Sequence, residues 1–383
     1  MKKDGRKWLW YLLQTGIVLV CMVILLFAVV VLEVLGSFMG VDALPVTKPS
    51  GLYPLVLLLI YYGAVTAQTV IHETGHLVCG LLSGYTFTSF RIFSFIWIYD
   101  GQKVRFRRYS LAGTAGQCLM APPPMKDGKF PVLLYNIGGP LMNLVTSFLF
   151  GILLLVFMWV PLVSQALLTL FIAGILLALT NGIPMRTATV SNDGYNALML
   201  AKDPLAMRAF WSELSINRQS ARGMALKDMP EEWFFVPGDE AMGNSLIASL
   251  GVNACDRLMR AGDYRQADEL TARMLEVAGG MAGVHRCQLV CNRMFMEMVG
   301  ENRKEVVDGL YTPQQKKRMR ALKKLPDIIR TEYTYALLQE KDRKKADACR
   351  ARFEKLAKNY PYPASVQEER ELMDMADRCS ETH

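Results

Sequence analysis

Three long stretches of this chain carry no charged residue, and they constrain its fold more than any other feature. Trp8 to Leu32 runs 25 residues without charge, Leu52 to Ile71 runs 20, and Phe130 to Met185 runs 56. A helix needs about 20 apolar residues to cross the hydrocarbon core of a bilayer. The longest run therefore holds two spans, broken most simply within "MWVPLVSQ" around Pro161. The expectation is an α-helical membrane protein with four spans, over about 8–34, 52–80, 131–158 and 162–183 of a core reaching residue 200. The first run is too long for a signal-peptide h-region, and no small-residue cleavage site follows it cleanly. It reads as a retained anchor.

The 383 residues carry a net charge of +8, and the placement of that charge says more than its size. Lys2, Lys3, Arg6 and Lys7 precede the first run. Arg91, Lys103, Arg105, Arg107, Arg108, Lys126 and Lys129 lie between the second and third spans. The connection "GSFMGVDALPVTKPSG" has one Lys and one Asp. The positive-inside rule then places both termini and the 85–130 loop in the cytosol of a multi-pass cell-membrane protein. The basic balance is accounted for by the bilayer, so no nucleic-acid partner is expected. Lys316, Lys317, Arg318, Arg320, Lys323 and Lys324 form one further cluster, either a solvated helix face or a contact with anionic lipid.

From about Asn196 the chain is polar and mixed in charge. Residues 201–243 read as a linker, with "KDMPEEWFFVPGDEAMGN" leading into a last domain over 244–383. There, "RAGDYRQAD", "VGENRKEVV" and "QEKDRKKAD" recur at intervals of roughly 40 residues between helix-period apolar positions. Ala267 and Ala346 follow two of these breaks and would let neighbouring helices approach closely. The pattern predicts an all-α domain, either helical hairpins of the tetratricopeptide type or an irregular array. Its expected job is to hold a peptide or a cytosolic protein partner. The eight cysteines form no tight framework. Cys287 and Cys291 sit one helical turn apart and read as packing residues.

The chemistry is concentrated in "VTAQTVIHETGHLVCGLL", residues 65–82. His72 and His76 are four apart, so on a helix they share a face and can reach one zinc ion. Glu73 is rotated about a third of a turn from His72 and can activate a metal-bound water without being a ligand. The competing reading, two satisfied core histidines, leaves a carboxylate at membrane depth unexplained. The remaining histidines, His285 and His383, lie far along the chain. The next acids after Glu73 are Asp100 and Asp127, both in a polar basic loop, and Asp193. Asp193 follows the fourth span in "TNGIPMRTATVSNDGYNA", where Asn181, Gly182 and Pro184 would interrupt the helix. It is the best third ligand. Cys79, on the histidine face, is the rival, although three ligands from one helix make poor tetrahedral geometry. In the 85–130 loop, "YTFTSFRIFSFIWIYDGQKVRFRRYSL" alternates as short strands do. Such strands can take up an extended segment along an edge.

"HETGH" at 72–76, "GGPLMN" at 138–143 and "NGIP…NDG" at 181–194 occur in this order on successive spans. Together these motifs resemble those of the site-2 protease family of intramembrane zinc metalloproteases, over about 200 residues. The resemblance implies a four-span core that hydrolyses peptide bonds of a single-span membrane protein within or near the bilayer. It implies zinc on His72, His76 and Asp193, Glu73 as the base, and Asn143 and Asn181 lining the site to position substrate. Two features depart from the family pattern. Asp193 stands twelve residues from Asn181, and Asn192 precedes it where the family has Leu. Two other classes remain open: a metal-binding membrane scaffold that does not cleave, which would have no use for Glu73, and a transporter, which would carry ionisable groups in several spans.

Overall fold

The computed structural model describes residues 51–110, 114–185, 191–277 and 279–382. The expected first span at about 8–34 and the connection after it lie outside these residues. Three of the described helices are long and apolar enough to cross a membrane: Pro54–Leu82, Leu133–Val156 and Pro161–Gly182. They correspond to the second, third and fourth expected spans. We call them α1 (Tyr53–Leu82), α2 (Leu133–Val156) and α3 (Pro161–Gly182). The break between α2 and α3 falls where Pro161 places it. Proline has no N–H to give to a preceding turn, so it is tolerated at the start of a helix.

The described residues form two compact units, one of residues 51–75 with Ile137–Ile183, the other of His76–Asn136 with residues 184–382. The division cuts through α1 itself, between Gly75 and His76.

In the first unit small residues let α1, α2 and α3 approach one another. A Cβ on Gly75 would run into the Gly138 carbonyl oxygen and lie 2.7 Å from Met142 Cβ. A Cβ on Gly174 would meet Ser147 Oγ and lie 2.6 Å from Gln68 Nε2. Apolar side chains such as Leu58, Leu59, Phe148 and Leu149 are exposed, as lipid-facing positions require.

In the second unit α1 ends in a tight cap. Gly84 has φ +81°, the Gly84 N–H bonds to the Leu81 carbonyl at 3.1 Å, and the Tyr85 N–H reaches the Gly80 carbonyl at 3.0 Å. This paired closure needs a left-handed residue, which glycine supplies without steric cost. The chain then passes directly into β1 (Thr86–Ile92), β2 (Phe95–Tyr99), β3 (Val104–Arg108) and β4 (Gly116–Ala121). They form an antiparallel sheet in the order β3-β2-β1-β4, with a register shift between Phe87 and Ser89. The alternating loop of the sequence is thus four strands, and β3 is an edge.

Residues 201–243, expected as a linker, carry the 18-residue helix Pro204–Ala221, which follows the short α4 (Asp193–Met199) and is α5 here. Its start is encoded locally: Asp203 accepts from the Leu205 and Ala206 N–H groups, and Pro204 occupies the first turn. Ala206, Met207, Ala209 and Leu214 are buried with Tyr85, Met120, Tyr135 and Leu250. The helix is therefore part of the core that joins the sheet to the helices that follow.

Those helices are α6 (Ser245–Arg260), α7 (Tyr264–Val277), α8 (Gly283–Val299), α9 (Lys304–Leu310), α10 (Pro313–Ala321), α11 (Pro326–Leu338), α12 (Arg343–Ala357) and α13 (Pro363–Thr382). All three predicted breaks separate helices, and each contains a residue with positive φ: Gly262, Asn302 and Lys341. Ala267 and Ala346 are completely buried. The region is all-α, as expected, with helices of 7 to 20 residues.

Candidate metal centre

The site is built outward from α1. His72 and His76 lie one turn apart on this continuous helix, and both are buried, as is Glu73. His76 Nε2 lies 3.4 Å from Asp193 Oδ2. The ligand atoms of His72, His76 and Asp193 lie within 4.8 Å of one another, so the group can hold a metal ion.

The partners of the imidazoles determine which nitrogen is offered to the metal. A carbonyl oxygen can only accept, so a chain of bonds anchored on one has a defined polarity. Gln68 Nε2 donates to the Leu170 carbonyl at 2.9 Å. That directs Gln68 Oε1 the other way, where Asn143 Nδ2 donates to it at 2.8 Å and to the Gln68 carbonyl at 2.8 Å. Asn143 therefore presents Oδ1 to His72 Nδ1, at 2.6 Å. Because Oδ1 accepts, Nδ1 carries a proton, and in the neutral ring that leaves the lone pair on Nε2. His76 reaches the same state more directly, with Nδ1 donating to the Tyr135 carbonyl at 2.8 Å. Metal-bound histidines characteristically carry such an outer partner, which sets the tautomer and the ring plane.

Asp193 is delivered by a capped turn. It is the first residue of α4, and Asn192 is the N-cap. Asn192 Oδ1 accepts from the Tyr195 N–H at 3.0 Å and from the Met185 N–H at 2.9 Å, while the Asn192 N–H donates to the Met185 carbonyl at 3.1 Å. Asn192 thus ties Met185 to the start of α4.

The remaining candidates fall elsewhere. Cys79 is buried and is not in the ligand group. Asn181 Nδ2 donates back to the Leu177 carbonyl of its own helix, at 3.0 Å. Asn143 is completely buried, and its amide is committed to His72 and Gln68. Its Oδ1 faces His72 Nδ1, on the ring edge away from Nε2. Gln68 escaped the sequence reading. Its signal is an amide one turn before His72 on an otherwise apolar helix, where an unsatisfied amide would be costly.

No family model, curated protein or solved structure matches this chain.

Proposed function

We propose that this protein is an intramembrane zinc metalloprotease that hydrolyses peptide bonds of a single-span membrane protein. The observation that carries the reading is the tautomer pair: both Nδ1–H groups are held by acceptors, so both Nε2 lone pairs are offered beside the Asp193 carboxylate. Two neutral imidazoles and one carboxylate form the open three-ligand set typical of catalytic zinc. When bound, zinc supplies Lewis acidity, polarising a carbonyl and acidifying water. Glu73, next to His72 on α1, takes the proton from the attacking water and returns it to the departing amide nitrogen as the C–N bond breaks. Asn143 and Gln68 hold His72 in the required tautomer throughout.

The rest of the proposal follows the membrane layout. The core has four spans, counting the N-terminal run, with both termini cytosolic. The edge strand β3 receives the unwound substrate segment, since a helical peptide bond is shielded by its own hydrogen bonds. The helices over 244–383, of the tetratricopeptide type, select substrate or bind a cytosolic partner. The test is a comparison of membrane proteomes from cells carrying wild type or Glu73→Gln. A single-span protein should accumulate uncut in the variant. Identical proteomes would favour the non-cleaving metal scaffold.

A further inference from the structure

The helices of the second unit enclose a polar cavity of about 250 Å3 that the proposed proteolysis does not use. Asp256, Asp327, His285, Tyr360 and Tyr362 are among the residues that line it. The arginines at this centre point their hydrogen bonds at other acids, with Arg260 Nε and Nη1 and Arg330 Nη1 left without a hydrogen-bond partner among the described residues. Arg330 Nε donates to Glu369 Oε2 at 2.6 Å, and Arg260 donates to Glu369 Oε1 at 2.7 Å while lying 3.4 Å from Glu368. Asp256 is left with a neutral partner, the Asn292 amide at 2.6 Å. Asp327 is 8% exposed, and its Oδ2 has no hydrogen-bond partner among the described residues.

A buried carboxylate oxygen without a partner bears the full cost of its lost hydration. Burial pushes Asp327 up to about 6, and burial raises Asp256 as well. Both groups would gain from a positively charged donor. A hard divalent ion asks for six or more oxygens on one point, and among the described residues the acids of this wall do not converge as the His72, His76 and Asp193 group does. Tyrosine rings attract organic cations, and the space far exceeds that of a single water.

We propose that this cavity binds an alkylammonium group, with Asp327 and Asp256 as its counter-charges and Tyr360 and Tyr362 as its aromatic wall. The inference does not depend on whether the membrane core cleaves peptide bonds.

The test is calorimetric titration of the full-length protein in detergent with n-butylammonium, with a peptide carrying one lysine, and with the N-acetylated form of each. Saturable binding of an amine that its acetylated form lacks is expected, weakened about tenfold or more in Asp327→Asn. Binding of butylammonium alone assigns a free small amine; binding of the peptide assigns a lysine side chain. No saturable binding of either amine, equal binding of the acetylated forms, or undiminished affinity in Asp327→Asn would overturn the proposal. Should Asp327→Asn fail to fold, Asp256→Asn and the acetylated ligands on wild type decide the question by the same criteria.

Discussion

The protein holds two buried polar networks, and they are made of different chemistry. The one among the membrane-spanning helices is neutral: a backbone carbonyl, two amides and an imidazole, joined from Leu170 through Gln68 and Asn143 to His72. The one among the C-terminal helices is ionic: Arg260 and Arg330 close on Glu369, which is almost completely buried. In the apolar run every polar group must find its partner inside the protein, and an amide costs far less to bury than a charge. A neutral relay cannot transmit charge, but it fixes direction, and direction is what a metal-binding imidazole needs. The ionic network lies in the polar part of the chain, where several charges share the cost of burial. Burial works against ionisation of Glu369, yet Arg330 and Arg260 together hold its carboxyl below the ordinary value.

This contrast can be broken most severely on the ionic side. Arg330→Met takes one of its two arginines from Glu369 and removes the donor to Asn292 Oδ1. It should cost about 3 kcal/mol of stability, because the buried Glu369 carboxylate loses its partner at Oε2 and keeps only Arg260 at Oε1. Chemical denaturation of the full chain measures the loss. Adding Glu369→Met should recover little of it, since the buried Arg260 then loses its Glu369 partner.

The next effect concerns the packing that brings the neutral relay together. Gly75→Ala places a Cβ against the Gly138 carbonyl and Met142. Backbone cannot yield as a flexible side-chain end can, so a loss of about 1–3 kcal/mol is expected in thermal unfolding in detergent. Unchanged stability would mean that α1 and α2 do not need this approach.

Within the relay, Gln68→Leu removes the group that orients Asn143. Zinc affinity should fall by about 10–100-fold, the usual effect of losing an outer partner of a metal-bound histidine. Competition with a chromogenic chelator measures it. Cys79→Ala, outside the ligand group, should leave the affinity unchanged.

The smallest effect is a pH dependence. Asp327 is raised to about 6 by burial first, then by Glu369 and Asp256, against the pull of Arg330. Its folded pKa lies above its unfolded value, so the folded state binds the proton more tightly. From about pH 4 to pH 6 this group therefore makes stability fall as pH rises. Asp327→Asn should flatten that part of the stability profile and raise stability at neutral pH. A wild-type slope that persists in the variant would assign the effect to another group.

Much of this architecture could be read from the chain, because membrane spans and helix breaks are local signals. Charge-free runs marked α1, α2 and α3, and Pro161 marked the join. The three breaks near 262, 300 and 341 were visible as turn chemistry, and Ala267 and Ala346 as sites of close approach. The metal-binding helix face was legible for the same reason, since a four-residue spacing fixes two side chains relative to each other. The 204–221 helix was obscured because the polar, Pro- and Gly-containing stretch that follows it reads as one loop. The partners of Gln68 and Asn143 were not legible, because each lies on another helix and no spacing encodes it. Asp193 could be found by elimination, but the device that delivers it could not. The Asn192 cap joins atoms seven residues apart across a turn.

The central claim is that His72, His76 and Asp193 hold zinc for a reaction in which Glu73 is the base. The most direct measurement pairs zinc content with hydrolysis of a single-span reporter by purified wild type and Glu73→Gln in detergent. The account predicts one zinc per chain in both proteins, with cleavage by wild type and none above background by the variant. Cleavage by Glu73→Gln at the wild-type rate, or no zinc in a folded wild-type protein, would contradict it.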